Sequence, residues 1–165
     1  MGGEWLKNMC GRTLEDEAMQ RVACPRLELG THITFKTVQA FGLLGTVLVG
    51  PITAAVKPEF RNYEGLKNSV TRAGVGGVVL GAVTGPILTY LVTRKEDQYK
   101  VWDRCYRLRY NRCQVRVDRT SMLGAASGAA IGAAYAGMAA FGGVVGMSAG
   151  IIFAAIYNNV GSKKE

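Results

Sequence analysis

Apolar residues occur in three long uncharged stretches, which are separated by polar and charged segments. Residues 37–56, 73–93 and 120–157 contain no Asp, Glu, Lys, Arg or His. Each of the first two stretches has about the length of one membrane-spanning helix. A single helix over 120–157 would be about 57 Å long, whereas a bilayer core is about 30 Å thick. The third stretch therefore predicts two membrane helices in a hairpin, with the turn at Gly142-Gly143.

Small residues recur at every fourth position within these stretches. In lipid, helices associate where small side chains let their backbones approach closely. A soluble core would carry Leu, Ile and Phe instead, and a flexible linker would be polar and rich in Ser. We therefore expect the helices to pack through the glycines of these ladders: Gly42, Gly50, Gly77, Gly81, Gly85, Gly124, Gly128, Gly132, Gly142, Gly146 and Gly150.

Together these patterns predict an all-α membrane protein with four transmembrane helices packed through Gly/Ala ladders, and short helices outside the membrane. The N-terminal segment, residues 1–31, is polar and contains a short helix that we expect to end before Pro25. A four-helix membrane domain follows over 32–160 and includes a basic loop at 94–119. Its spans are predicted at about 37–56, 73–93, 120–141 and 143–160, and a polar tail follows at 161–165.

The positive charge of the chain is concentrated in the 94–119 loop. The whole chain of 165 residues has a net charge of +8, and this loop alone carries nine basic and four acidic side chains. Aromatic residues recur along it at helical spacing, a pattern typical of the membrane interface. Nucleic-acid binding is the other interpretation, and the flanking spans disfavour it. We expect the loop to bind cardiolipin headgroups or acidic partner surfaces through Arg104, Arg107, Arg109, Arg112, Trp102 and Tyr106.

The four cysteines, Cys10, Cys24, Cys105 and Cys113, are predicted to lie on one side of the membrane. Four spans place both termini and the 94–119 loop on that side. Two disulfides in an oxidising compartment are one hypothesis, and unpaired thiols are the other. Cys105 and Cys113 would be about 12 Å apart along an unbroken helix, too far for a bridge. They can pair only if the chain bends, for example at Asn111; otherwise each pairs with an N-terminal cysteine.

The sequence offers no catalytic or metal-binding constellation. His32 is the only histidine, so a His-dependent triad or a multi-His metal site is excluded. Proton pumps and ion-coupled transporters use ionisable groups inside the membrane, and the uncharged stretches contain none. We therefore expect neither enzymatic activity, nor a cofactor, nor a small-molecule substrate. Residues 1–31 carry five acidic side chains and no apolar run, which argues against a cleavable leader.

The architecture resembles the mitochondrial inner-membrane translocase (Tim) family over about residues 31–160. Arg72-Ala73-Gly74 opens the second span, and Arg116-Val117-Asp118 leads into the third. The family includes channel-like import subunits and a four-helix accessory subunit of respiratory complex I. At the third span the family usually has an acidic pair with an Asn three residues on. This chain has Asp118-Arg119 and then Ser121, so the resemblance is greatest to the complex I branch.

The resemblance implies a non-catalytic assembly or stability subunit of mitochondrial complex I, NADH:ubiquinone oxidoreductase. Its partners would be other membrane subunits and phospholipid. A subunit of the inner-membrane protein-import translocase is the alternative, and a glycine-zipper membrane protein outside mitochondria is a third. The family topology places the termini and the 94–119 loop in the intermembrane space, in agreement with paired cysteines. The positive-inside rule, which imported mitochondrial proteins need not follow closely, would place this loop on the opposite side.

Overall fold

The computed structural model describes residues 3–12 and 14–161, and these residues form helices and connecting turns without a β-strand. The all-α prediction is confirmed. The elements are α1 (Gly3–Met9), α2 (Asp16–Gln20), α3 (Pro25–Leu44), a π-helical turn (Gly45–Val49), α4 (Gly50–Val56), a 3-10 turn (Pro58–Phe60), α5 (Tyr63–Thr93), α6 (Gln98–Tyr110), α7 (Arg112–Ala136) and α8 (Ala139–Gly161). Residues 162–165 of the predicted tail lie outside the described residues.

Three helical segments are long and apolar enough to cross a membrane. They are Pro25–Val56, which joins α3 to α4 through the π-helical turn, then Tyr63–Thr93 and Ala139–Val160. The first two extend well beyond the predicted spans, because those spans were bounded by charged residues and a helix does not end where a charge occurs.

Pro25 begins α3 instead of ending a preceding helix. It occupies the first turn of α3, where its missing N–H is not needed and its fixed φ suits the helix. The N-terminal segment contains two short helices, α1 and α2, before this point. A proline after a polar run therefore marked the start of the first long helix.

The turn between α7 and α8 lies at Gly137-Met138, so the prediction of a turn at Gly142-Gly143 was wrong. Gly137 has a φ of 64°, and its N–H bonds to the carbonyl of Ala133. The N–H of Met138 bonds to the carbonyl of Gly132 at 2.9 Å. This pairing ends a helix with a left-handed residue, which glycine adopts at little cost. Gly142 and Gly143 lie inside α8 instead.

The chain bends at Asn111, between α6 and α7. The Asn111 side chain accepts a hydrogen bond from the N–H of Gln114 at 3.1 Å and so caps α7. Helix α7 then continues from Arg112 into the uncharged residues without a break. The C-terminal part of the predicted basic loop is therefore the first part of a long helix.

Glycines bring the long helices together in two antiparallel pairs, α3–α4 with α5 and α7 with α8. For most of the ladder glycines, an added Cβ atom would lie less than 3.0 Å from backbone atoms of the facing segment. Real Cβ atoms essentially never come this close to other atoms. In the first pair these glycines are Gly50, Gly77, Gly81 and Gly85. In the second pair they are Gly124, Gly128, Gly132, Gly142, Gly146 and Gly150.

The two pairs meet through α8. A Cβ atom at Gly42 of α3 would meet the side chains of Met147 and Val78, and one at Gly74 of α5 would meet Thr46 and Val144. Met147 and Val144 belong to α8 and are buried. Gly42 therefore faces movable side chains, unlike the glycines that face backbone.

We expect Gly77→Ala to destabilise the fold and Gly76→Ala to be neutral or stabilising. A methyl group at Gly77 would collide with the Phe41 carbonyl, whereas one at Gly76 would meet no atom within 4 Å. Overpacking of this kind costs about 1–3 kcal/mol, while alanine favours a helix over glycine by up to about 1 kcal/mol. Thermal unfolding of both variants in the same mild detergent measures the difference. Equal melting temperatures would show that the close approach at Gly77 does not limit stability.

Candidate functional site

A stripe of polar side chains runs along one face of α3, the helix with the first long apolar segment. Glu28, His32, Lys36 and Gln39 follow one another at intervals of four, four and three residues, which places them on the same side of a helix. This side faces α6 and α7. Glu28 and Gln39 are buried, whereas His32 and Lys36 are partly exposed. The stripe therefore runs along the boundary of the interior, with both of its ends buried.

Glu28 and Arg109 form a buried ion pair at one end of the stripe. The two guanidinium–carboxylate distances are 2.6 Å and 2.7 Å, and the residues are 7% and 3% exposed. Arg109 Nη1 also donates to the carbonyl of Met19 at 2.9 Å. Two parallel hydrogen bonds between a guanidinium group and a carboxylate are among the strongest interactions that side chains make. Arg109 of α6 thus connects α3 to the end of α2.

Asp118 accepts hydrogen bonds from the other end of the stripe. Its Oδ1 lies 2.5 Å from Lys36 Nζ and 2.9 Å from Gln39 Nε2. Gln39 Nε2 is also 2.8 Å from Ser121 Oγ, and His32 Nδ1 is 3.8 Å from Asp118 Oδ2. Asp118 is only 3% exposed. A buried carboxylate needs this number of donors to offset its lost hydration, so the cluster fixes α7 against α3.

A small cavity of about 20 Å³ lies between the two ion pairs. Glu28, His32, Arg109 and Asp118 are among its lining residues. A volume of this size holds about one water molecule. The charged groups around it already bond to one another, which makes the cluster a packing element of the interior.

None of the four cysteines forms a disulfide in the structure, so the hypothesis of two disulfides is not supported and the alternative of unpaired thiols agrees with the structure. Cys10, Cys24 and Cys113 are exposed free thiols, and Cys105 is buried. The Cys105 Sγ lies 3.2 Å from the carbonyl oxygen of Pro25. It packs with Leu29 and Val101 in the apolar core between α3 and α6. Burial, reinforced by the negative charge of Glu28, raises the pKa of the Cys105 thiol to about 12.

Most arginines of the predicted lipid surface pair with acidic groups of the chain itself. Arg104 lies 3.0 Å from Glu96, and Arg107 lies 2.6 Å from Asp103. Arg109 is the buried partner of Glu28. Among the four predicted arginines, only Arg112 makes no ion pair with a described residue.

The predicted aromatic residues stack along α6. The rings of Trp102 and Tyr106 lie 5.5 Å apart and nearly parallel. Trp102 Nε1 also donates to the carbonyl of Gln20 at 3.3 Å. This face of α6 therefore holds the end of α2.

Arg112 and three arginines outside the predicted set, Arg12, Arg116 and Arg119, surround a pocket of about 450 Å³ beside α7. Arg112, Arg116 and Arg119 lie on one face of α7, and Arg12 comes from the segment after α1. Within the part of the chain that the structure describes, no acidic side chain lines this pocket. The lining residues are Asn8, Gly11, Arg12, Arg109, Arg112, Val115, Arg116, Arg119, Thr120 and Leu123.

The spacing of charged residues in the sequence already marks both the polar stripe of α3 and the basic face of α7. The uncharged stretches begin at Thr37 and Thr120, so Lys36 and Asp118 lie just outside them. The four-residue spacing from Glu28 through His32 to Lys36 marks a polar face. The spacing of the α7 arginines likewise marks a basic face, although neither pattern says which helix lies opposite.

This fold and this site define a class: an all-helical protein with several helices able to cross a membrane and a charged, hydrogen-bonded interior at one end. The chain belongs to the family described as protein of unknown function (DUF1757), whose model matches residues 5–157. A comparison with curated proteins finds no match.

We expect the buried pair to behave as a unit in a double-mutant cycle. Glu28→Met or Arg109→Met alone leaves one charge buried without its partner, at a cost of about 3–5 kcal/mol. The double variant Glu28→Met/Arg109→Met should lose much less than the sum. Thermal unfolding in detergent measures the coupling.

A matched control is the exposed pair Asp103–Arg107 on the same helix, whose side chains are 39% and 69% exposed. The corresponding cycle there should show a coupling of about 0–1 kcal/mol. Additive losses at Glu28 and Arg109 would contradict the burial of this ion pair.

Thiol alkylation should distinguish Cys105 from the other cysteines. At about pH 8 an ordinary thiol is partly ionised and reactive, whereas Cys105 stays protonated because its pKa is about 12. Without reductant, the native protein should take up label at Cys10, Cys24 and Cys113, and at Cys105 only after unfolding. Mass spectrometry locates the labels. If two of these three cysteines took up label only after reduction, those two would form a disulfide.

Proposed function

We propose that the protein is a non-catalytic accessory subunit of mitochondrial respiratory complex I, spanning the inner membrane four times. The observation that carries the proposal is the division of the molecule into a bonded polar interior and an exposed apolar exterior. Its buried charged side chains bond to each other, as a structural element requires. The particular complex is suggested by the sequence resemblance to the Tim family.

The exposed apolar surface is most regular on α5. Val79, Val83, Ile87 and Leu91 recur at every fourth residue, and each is at least half exposed. On α8, large side chains such as Ile152, Phe153 and Ile156 are also exposed. Exposing apolar faces of this extent to water is unfavourable, and soluble proteins rarely do so. They suit contact with lipid acyl chains or with the helices of larger membrane subunits.

The fourth span in this proposal is the uncharged part of α7, residues 120–136. It is about 26 Å long at the rise of an α-helix, close to the thickness of a bilayer core. Gly124 and Gly128 lie against Gly146 and Gly142 of α8, so α7 runs beside a helix that is long and apolar enough to cross. Through this packing the Gly ladders would hold the second pair together within lipid.

The charged elements identify one end of the bundle, which we propose faces the intermembrane space. Asn8 of α1 donates to the Arg109 carbonyl of α6 at 3.0 Å. At the same end, Asn158 near the end of α8 donates to the Cys113 carbonyl at 3.2 Å. The opposite end carries the short α4–α5 connection and the Gly137-Met138 turn.

Native electrophoresis of gently solubilised mitochondrial membranes tests this function. Immunodetection should place the protein in the band that oxidises NADH, and depletion of the protein should lower the amount of that band. A smaller assembly without NADH oxidation would contradict the proposal and favour the import translocase. Absence from mitochondria would contradict both and favour a glycine-zipper protein of another membrane.

A further inference from the structure

We propose that the pocket bordered by Arg12, Arg112, Arg116 and Arg119 binds the phosphate headgroup of an anionic phospholipid. This inference rests on the proposed function, because it requires the uncharged part of α7 to lie in a membrane. The lipid site proposed here does not include Arg104 and Arg107 of the predicted site, because both pair with acidic side chains of the same chain.

The positive charge around the pocket is uncompensated within the described residues. None of these four arginines forms an ion pair there, and no carboxylate lines the cavity. Arg109, which also lines the pocket, has its charge balanced by Glu28. Four like charges around one cavity repel each other, so an anion bound between them would relieve that repulsion.

Two of the arginines are held in place by neutral partners. Arg119 Nε donates to the Met9 carbonyl at 2.8 Å, and its Nη2 donates to the Asn8 carbonyl. The Arg116 guanidinium donates to Asn158 and lies 4.6 Å from the centre of the Tyr157 ring. These partners carry no formal charge, so they orient both guanidinium groups without neutralising them. A guanidinium group has five N–H donors in a planar fork that matches phosphate oxygens.

The position of the pocket favours a lipid over a free phosphate. Arg112, Arg116 and Arg119 occupy the first two turns of α7, directly before its uncharged part begins at Thr120. Thr120 and Leu123 continue the pocket in that direction, and Leu123 is 69% exposed. A ligand with a phosphate at the arginines and an acyl chain along Leu123 would match both the charge and the apolar surface.

Four arginines suit a headgroup with more than one phosphate. A single phosphodiester carries one negative charge. Cardiolipin has two separate phosphodiester groups and can therefore engage several guanidinium groups at once. We therefore expect cardiolipin to bind more tightly than phosphatidylglycerol, and phosphatidylcholine not to bind measurably.

Lipid-dependent thermal stability of the purified full-length protein in mild detergent tests the proposal. Cardiolipin, phosphatidylglycerol, phosphatidylcholine and inorganic phosphate are each titrated, and the rise in melting temperature gives an apparent affinity. Cardiolipin should raise the melting temperature most. A comparable effect of inorganic phosphate would overturn the assignment to a lipid, and equal effects of all three lipids would overturn the requirement for a headgroup with net negative charge.

The variant Arg12→Gln/Arg112→Gln locates the site. Neither side chain donates a hydrogen bond to a described residue, so the fold should be retained without lipid. Apparent cardiolipin affinity should fall about tenfold or more, the order expected for losing charge-assisted contacts. The matched control Arg104→Gln/Arg107→Gln removes the same charge and should keep most of the affinity. An equal loss in both variants would overturn the pocket in favour of general surface attraction.

Failure of this inference and failure of the proposed function are distinguishable. The binding experiment uses the isolated protein, so it gives the same result whichever complex contains the chain. The native gel in turn reports the assembly whether or not this pocket holds a lipid.

Discussion

The structure depends on the close approach of helix backbones, which only glycine permits at the contact points. Along α7 and α8, Gly128 and Gly142 each lie so near the other's carbonyl that neither could carry a Cβ atom. Close packing of this kind, with Cα–H···O contacts, is what holds helices together within lipid, where no hydrophobic effect acts between them. The apolar side chains are therefore free to face outward, which explains why the protein has a small buried core and a large apolar surface.

The ion pairs Glu28–Arg109 and Lys36–Asp118 fix the register of this packing. Glycine contacts can slide by one helical turn, because the next small residue is only four positions away. Glu28 can bond with Arg109, and Asp118 with Lys36, in only one register. The pairs cost desolvation energy, and their value lies in specifying one arrangement. They lie at the end of the molecule that carries α1, α2 and α6. Glu28 of α3 joins Arg109 of α6, and Asp118 of α7 joins Lys36 of α3.

Two kinds of arginine occur at that end of the molecule. Arg104, Arg107 and Arg109 of α6 are balanced by carboxylates of the chain. The other arginines around the pocket beside α7 pair with no described carboxylate, and two of them, Arg116 and Arg119, are held by an amide and by backbone carbonyls. The first kind stabilises the fold. The second kind presents positive charge where the uncharged part of α7 begins, which is why the proposed lipid contact lies there.

The sequence by itself determined the helical class, the apolar segments able to cross a membrane, and the positions of the small residues. These follow from local spacing and composition, which the chain carries without reference to its fold. Only the tertiary structure decided that the last turn lies at Gly137, that Pro25 starts a helix, and that the cysteines remain unpaired. It also decided the partner of Arg109, which lies 81 residues away in the sequence. Helical periodicity tells which residues share a face of a helix, but long-range packing decides which face lies opposite. The bonded charges and the basic pocket are therefore visible only in the tertiary structure.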